Sequence, residues 1–128
     1  MNKRLSLLLL LPLAAAAALA GAGCRVRDVR TATIRVSGLR NEACSNEIAK
    51  ALARLPDTRL SNDRNDAETC LKIEKIDYAT GDLTVRYDSM KVGVRNLEDA
   101  IAGAGFDTPT FPADEKARAK LPPDCRGE

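Results

Sequence analysis

Residues 34–52 (IRVSGLRNEACSNEIAKAL) constrain the fold of this chain more than any other stretch. Ile34 and Val36 alternate with polar residues, which predicts a short half-buried strand, and Ser37-Gly38 then predicts a tight loop. After the loop, apolar residues recur at helical spacing and predict one buried helix face: Ile48, Ala51, Leu52 and Leu55. The stretch therefore predicts a strand–loop–helix unit around which the remaining elements are arranged.

Cys44 lies where the predicted loop becomes the predicted helix. A helix N-terminus carries partial positive charge and free N–H donors, which favour a thiolate over a thiol. Thiolates are the ligands that soft metals prefer. Asn41 is a good N-cap residue and Glu42 suits the first helical turn. Two interpretations of Cys44 stay open: a metal-binding thiolate, or a small buried hydrophobic residue.

The first 23 residues have the pattern of a bacterial export signal. Lys3 and Arg4 form a basic start, residues 5–20 are almost entirely Leu and Ala, and small residues precede Cys24. This order predicts a lipoprotein signal whose removal leaves Cys24 as a lipidated N-terminus. Ordinary cleavage at an upstream alanine and a retained membrane helix are the alternatives. The prediction places the protein in the bacterial cell envelope, facing the periplasm and held to the membrane by its N-terminal lipid.

The composition of the mature chain excludes several classes of function. Without Lys3 and Arg4, 18 basic residues stand against 18 acidic ones, and the two signs are interspersed, so we expect no nucleic-acid binding. Histidine is absent, which removes the commonest zinc ligand and the commonest general base. The chain also lacks a CxxC redox pair and a nucleophile–base pattern, so we do not expect an enzyme.

The order of elements predicts the fold class. After a charged tether at residues 24–30, the patterns indicate a strand, a helix, a hairpin of two strands, a second helix and a short final strand, at residues 31–36, 42–54, 71–87, 94–104 and 108–111. Within the first strand of the hairpin, the alternation of apolar residues shifts by one position. This shift predicts a bulge near Glu74-Lys75. Residues 57–69 read as a polar loop whose acidic residues lack the spacing of a calcium site. The order strand–helix–strand–strand–helix–strand predicts an α+β, ferredoxin-like domain with a four-stranded antiparallel sheet and two helices on one face.

The loop and its flanking elements resemble the heavy-metal-associated domain of copper chaperones, periplasmic mercury-binding proteins and metal-pumping ATPases. That family carries a GMTCxxC loop between its first strand and first helix. Gly38 matches the glycine of this loop, Leu39 takes the methionine place, and Cys44 matches the second cysteine. Asn41 occupies the position of the first cysteine, so half of the family's ligand pair is replaced.

The resemblance covers residues 31–111 and includes the segments TGDLTVRYD and AIAGAGFD. Phe106 in the second segment matches an aromatic residue beside the metal loop, although core packing would equally explain it. The resemblance implies binding or transfer of a soft ion such as Cu(I) or Hg(II), with Cys44 as principal ligand in a site shaped by Gly38, Asn41 and Phe106. The second thiolate would come from Cys125, Cys70 or another molecule, and a metal transporter or a second copy of the chain would be the partner. The alternative is a non-metal interaction or structural module of the envelope, in which Asn41 is a plain helix cap.

The predicted topology constrains disulfide pairing. In this fold Cys44 lies at one end of the first helix and Cys70, which opens the second strand, at the other, roughly 15–20 Å away at about 1.5 Å per helical residue. A disulfide requires Cα atoms within about 7 Å of each other. We therefore predict a Cys70–Cys125 disulfide that holds the tail, residues 112–128, and a free thiol at Cys44. In the alternative, the tail or the 57–69 loop folds back and brings Cys125 or Cys70 to Cys44. If Cys24 is not lipidated, four thiols remain and other pairings are open.

Overall fold

The computed structural model describes residues 28–56 and 70–127. Within them the chain forms β1 (Val29–Arg35), α1 (Glu42–Leu52), β2 (Leu71–Asp77), β3 (Asp82–Asp88), α2 (Val94–Gly103) and α3 (Glu115–Lys120), and then a 3-10 turn at Pro123–Cys125. These elements make an α+β fold. The predicted export signal, the predicted lipidation site at Cys24 and the predicted loop 57–69 lie outside the described residues.

The three strands form one antiparallel sheet in the order β1-β3-β2. Along β1 and β3 the alternation places Ile34, Leu83 and Val85 in the interior, whereas Thr33 and Thr84 lie opposite each other on the exposed face. The register of β2 against β3 shifts between Ile73 and Lys75, which confirms the predicted bulge. The sheet therefore has one apolar face and one polar face.

The two longer helices cover the apolar face with residues at helical spacing. α1 buries Ile48 and Leu52, α2 buries Leu97 and Ile101, and the helices contact each other. These residues share one hydrophobic cluster with the interior of the strands. The same cluster contains Cys44, Phe106, Leu121 and Cys125, so the tail contributes to the core of the domain.

The segment expected to form a fourth strand forms a turn instead. At residues 108–111 the backbone N–H of Thr108 donates to the carbonyl of Phe111 at 3.0 Å, and the Thr108 hydroxyl accepts from the N–H of Phe111 at 3.1 Å. Pro109 lies within the turn and Pro112 directly follows it, and proline cannot donate to a sheet ladder. Among the described residues the sheet consequently has three strands, and the chain reverses towards α3.

The tail returns along the helices to the loop between β1 and α1. α3 begins after Asp114, whose carboxylate accepts from the N–H of Ala117 at 2.9 Å. Gly105 has a φ of +103°, and a Cβ atom there would lie 2.6 Å from the backbone nitrogen of Arg118. This close approach requires glycine, since any side chain would separate the end of α2 from α3.

Candidate functional site

Cys44 lies in the first turn of α1, and the residues around it fix the start of the helix. Asn41 is the N-cap with extended backbone, and its side-chain oxygen accepts from the N–H of Cys44 at 3.1 Å. Glu42 adds a negative charge to the first turn, as the helix dipole favours. Asn41 is therefore a helix cap, and the side chain of Cys44 lies at the positive end of the α1 dipole.

Cys44 forms a disulfide with Cys125. Their Cα atoms lie 5.4 Å apart across 81 positions of sequence, and both residues are buried, with exposures of 0% and 1%. The Cys44 sulfur also lies 3.2 Å from the side-chain oxygen of Asn41. Because a disulfide sulfur has no proton, this approach is a contact and not a hydrogen bond. The pair thus brings a second sulfur from the tail to the N-terminus of α1.

The predicted pairing of Cys70 with Cys125 is wrong, and so is the prediction of a free thiol at Cys44. The prediction assumed that the tail leaves the domain from the end of a fourth strand, next to the start of β2. The turn at residues 108–111 reverses the chain, so that Cys125 reaches the opposite end of α1. Cys70 lies at the start of β2, is 1% exposed and is also disulfide-bonded. None of the described cysteines is a free thiol.

Gly38 allows the tail backbone to lie directly on the loop. Its φ is +89°, and a Cβ atom at this position would lie 2.3 Å from the carbonyl oxygen of Cys125. On the other side of the same contact, a Cβ atom at Gly127 would lie 3.0 Å from the Ser37 hydroxyl. The sequence identified Gly38 as a loop glycine, whereas its contact with the tail could not be read from local pattern.

Asp107 anchors the beginning of the tail, a role that no local sequence pattern predicts. Its carboxylate accepts from the N–H of Ala113 at 2.8 Å and pairs with the guanidinium of Arg118, and its carbonyl accepts from the N–H of Ser37 at 3.0 Å. The Ala113 N–H, and secondarily Arg118, hold the pKa of the Asp107 carboxyl below its usual value, against the opposing effect of burial. The two prolines at 109 and 112 are the signal that could have indicated a turn fixed by a neighbouring side chain.

Phe106 is fully buried in the cluster that contains both cysteines of the bridge. Its burial is that of a core residue, as the packing interpretation expects. Beside the same loop a cleft of about 500 Å³ opens between the end of β1, the hairpin turn and the segment after α2, with Arg35, Arg40, Thr80 and Pro109 in its wall. The two cysteines do not line this cleft, because both are buried.

In the disulfide form, residues 28–56 and 70–127 bring together no group of three His, Cys, Asp or Glu side chains that could hold a metal ion. Cleavage of the Cys44–Cys125 bond would produce two adjacent thiols at a helix N-terminus, which is a soft, two-donor site. In the same part of the chain no helix has the length and apolarity needed to cross a membrane.

Comparison of the chain with protein-family models, with curated proteins and with solved structures finds no match. The resemblance to the heavy-metal-associated domain therefore rests on the residues of the loop, the hairpin and the end of the second helix.

Proposed function

We propose that the protein binds a soft metal ion in the bacterial envelope, and that the two ligands are the thiolates of reduced Cys44 and Cys125. One observation carries the proposal: the tail supplies a second sulfur to the loop in which Asn41 replaces the cysteine of the resembling family. Cu(I) and Hg(II) are the ions of choice because both favour thiolates and form stable complexes with two ligands. The role is binding or transfer, not catalysis.

The fold supports this proposal at the level of element order. The strand order β1-β3-β2, with α1 after β1 and α2 after β3, is compatible with a ferredoxin-like domain in which the fourth strand would flank β1. On that arrangement Cys44 occupies the loop–helix junction that carries metal in the heavy-metal-associated family. Function depends on the site and not on the fold, so the sulfur pair remains the decisive feature.

The proposed site forms by reduction. An envelope dithiol donates two electrons and two protons to the Cys44–Cys125 bond, becomes a disulfide itself, and leaves two thiols on this chain. Binding of the metal then releases a proton from each thiol. The N–H groups at the start of α1 stabilise the thiolate of Cys44 and so favour this step.

Burial sets a condition on metal entry. Both cysteines are covered in the disulfide form, so the tail must move before an ion can reach them. Once the covalent bond is broken, the tail is held by non-covalent contacts, chiefly those of Gly38, Gly105 and Asp107. We therefore propose that the metal-binding form has the tail closed over the ion as its second ligand.

A Cu(I) competition titration of the full chain tests the proposal. The fully reduced chain, kept free of oxygen, is expected to bind one Cu(I) tightly, whereas the oxidised chain binds none at this site. Cys44→Ser and Cys125→Ser should each abolish tight binding, and Cys70→Ser, which also removes a cysteine, should leave it unchanged. Equal Cu(I) affinity in the reduced wild type and in Cys44→Ser would refute the proposal.

A second candidate is a non-metal interaction or structural module that the disulfide keeps closed. The complete burial of the Cys44–Cys125 pair favours it. The reduction potential of this bond, measured by equilibration with thiol buffers, separates the two candidates. Structural disulfides of exported proteins have potentials below about −300 mV, and labile ones have higher potentials. A potential below that limit would support the structural module.

The proposed anchoring at Cys24 can be tested independently by mass spectrometry of the protein isolated from its envelope. The chain has four cysteines, Cys44 and Cys125 bond each other, and Cys70 is disulfide-bonded. A lipidated Cys24 has its sulfur in a thioether, so it has none left for Cys70. We expect a lipidated N-terminal cysteine in the protein isolated from its envelope. A peptide that joins Cys24 to Cys70 would instead overturn the lipid anchor.

A further inference from the structure

β1 lies at one edge of the sheet, and among the described residues no strand pairs with its outer side. The N–H of Val36 donates to Gly81 at 2.8 Å, and the N–H of Ser89 donates to Asp28 at 2.9 Å. These two bonds show that the backbone groups of even-numbered residues face β3. Hydrogen-bonded and non-bonded pairs alternate in an antiparallel ladder, so the odd-numbered residues direct their N–H and C=O groups outwards: Val29, Thr31, Thr33 and Arg35.

The two edges of the sheet differ in how they are protected. β2 at the opposite edge has a bulge between Ile73 and Lys75. Three of its four residues from 72 to 75 are charged: Lys72, Glu74 and Lys75. β1 (VRTATIR) runs for seven residues in unbroken register with β3 and has no proline, lysine or bulge. Its two charged residues, Arg30 and Arg35, lie towards its ends, so residues 31–34 are uncharged. Natural sheets usually block free edges with prolines, bulges or charges along the strand. The open central part of β1 indicates that this edge is paired in the functional state.

The end of the edge is defined by the chain itself. Just beyond β1, the outward N–H of Ser37 already donates to the carbonyl of Asp107 at 3.0 Å. The turn at residues 108–111 then carries the chain away from the sheet. Four outward-facing residues are left available for a partner strand.

We propose that the outer edge of β1 pairs with the same edge of a second copy of this chain, antiparallel about a two-fold axis at Ala32. In this register Thr31 faces Thr33 of the other copy, and Val29 faces Arg35, so all four outward-facing residues form ladder pairs. A shift of two residues in one direction would need the N–H of Ser37, which is occupied, and a shift in the other direction places Arg35 beyond the start of β1 in the other copy. The result is a continuous six-stranded sheet with an isologous contact.

Charge also favours pairing between two copies in this register. Arg35 lies opposite Val29 and Arg30 lies opposite Ile34, so no two like charges face each other directly. Arg35 and Arg30 are already paired with Asp82 and Asp28 within their own chain. The contact is small compared with a standard interface of about 800 Å² per partner, so we expect a dissociation constant of roughly 10–100 µM.

Sedimentation equilibrium of the purified full chain tests the proposal with one matched pair of variants. Thr33→Pro removes an outward N–H and places a ring on the free edge without breaking the ladder to β3. Thr33→Val is the control, because both changes remove the Thr33–Thr84 hydroxyl contact but valine keeps the N–H. Wild type and Thr33→Val should approach dimer mass as concentration rises, and Thr33→Pro should stay monomeric. A wild type that is monomeric up to about 1 mM, or dimerisation of Thr33→Pro equal to that of the wild type, would overturn the proposal.

Amide hydrogen exchange of the wild type gives a second test that does not depend on the folding of a proline variant. In dilute solution the amides of Thr31 and Thr33 should exchange fast, while those of Ala32 and Ile34, which face β3, stay protected. Raising the concentration to about 1 mM should slow exchange at Thr31 and Thr33 by about fivefold or more and leave the two inner amides unchanged. Fast exchange of the outward amides at every concentration would contradict the pairing.

Discussion

The loop end of the domain and the exposed face of the sheet are held together by different kinds of contact. At the loop end the tail backbone touches Gly38 and Gly105 without intervening side chains, and a buried disulfide joins Cys125 to α1. On the exposed face the contacts are between the ends of long side chains. Arg35 pairs with Asp82 at 2.9 Å, and Arg86 lies 3.4 Å from Glu74. These four side chains are partly or largely exposed to solvent.

This difference determines how each region responds to mutation. A backbone contact has no flexible atoms, so one added carbon must displace a whole segment. An exposed ion pair can exchange its partner for water with little change in free energy. We therefore expect substitutions at the loop end to lower stability strongly and those on the sheet face to have little effect.

The largest effect is expected from removal of the Cys44–Cys125 bond. The double variant Cys44→Ala/Cys125→Ala should lower the free energy of unfolding by about 2–5 kcal/mol, because the bond closes a long loop in the unfolded chain. Urea unfolding followed by circular dichroism measures the change. Each single variant should lose nearly as much as the double variant, since each breaks the same bond. A loss below about 1 kcal/mol in the double variant would show that the bond is not a structural element.

Next in size is the effect of a side chain at Gly38. Gly38→Ala combines a strained positive φ with a clash against the carbonyl of Cys125, and should destabilise by about 2–4 kcal/mol. Gly103→Ala is the matched control: no atom lies within 4 Å of its Cβ position, and α2 contains it. That control should leave stability unchanged or raise it by up to about 1 kcal/mol. Equal effects of the two changes in thermal unfolding would show that the tail does not lie on the loop.

The same contrast explains which features the sequence could predict. The cap at Asn41, the bulge near Lys75 and the burial of Ile48 and Leu52 on α1 depend on residues close in sequence, and local patterns predicted them correctly. The turn at residues 108–111 and the Cys44–Cys125 pairing depend on where the tail lies after α2. That path is set by backbone contacts at two glycines, and a glycine in sequence does not reveal which distant segment approaches it.

A smaller, pH-dependent effect is expected at Asp107. Its pKa is lowered in the folded chain by the Ala113 N–H and Arg118, so its contribution to stability is complete above the unfolded value of about 3.9 and is lost as pH falls through the lower folded pKa. Because the side chain is 41% exposed, solvent screening limits the effect of Asp107→Asn to about 1 kcal/mol at pH 7. Unfolding of wild type and variant should converge as the pH falls below the folded pKa of Asp107. Asp99→Asn, an exposed carboxyl change on α2, is the control, and a pH-independent difference at Asp107 would contradict the ionic role.

The smallest effect is expected at the cross-strand pair of Arg35 and Asp82. The Arg35 guanidinium, and secondarily Thr80, lower the pKa of the Asp82 carboxyl against the opposing effect of burial. This attraction is not a large stabilisation, because the Arg35 side chain is largely in solvent and that of Asp82 partly so. Arg35→Gln and Asp82→Asn should therefore leave thermal unfolding within the scatter of replicate measurements, and added salt should remove any residual difference. The same Arg35→Gln variant should also retain the proposed pairing between copies, since β1 pairs through its backbone and this side chain faces valine. A marked loss of stability in Arg35→Gln that persists at high salt would mean that the sheet face is as tightly coupled as the loop end, and the contrast between the two regions would fail.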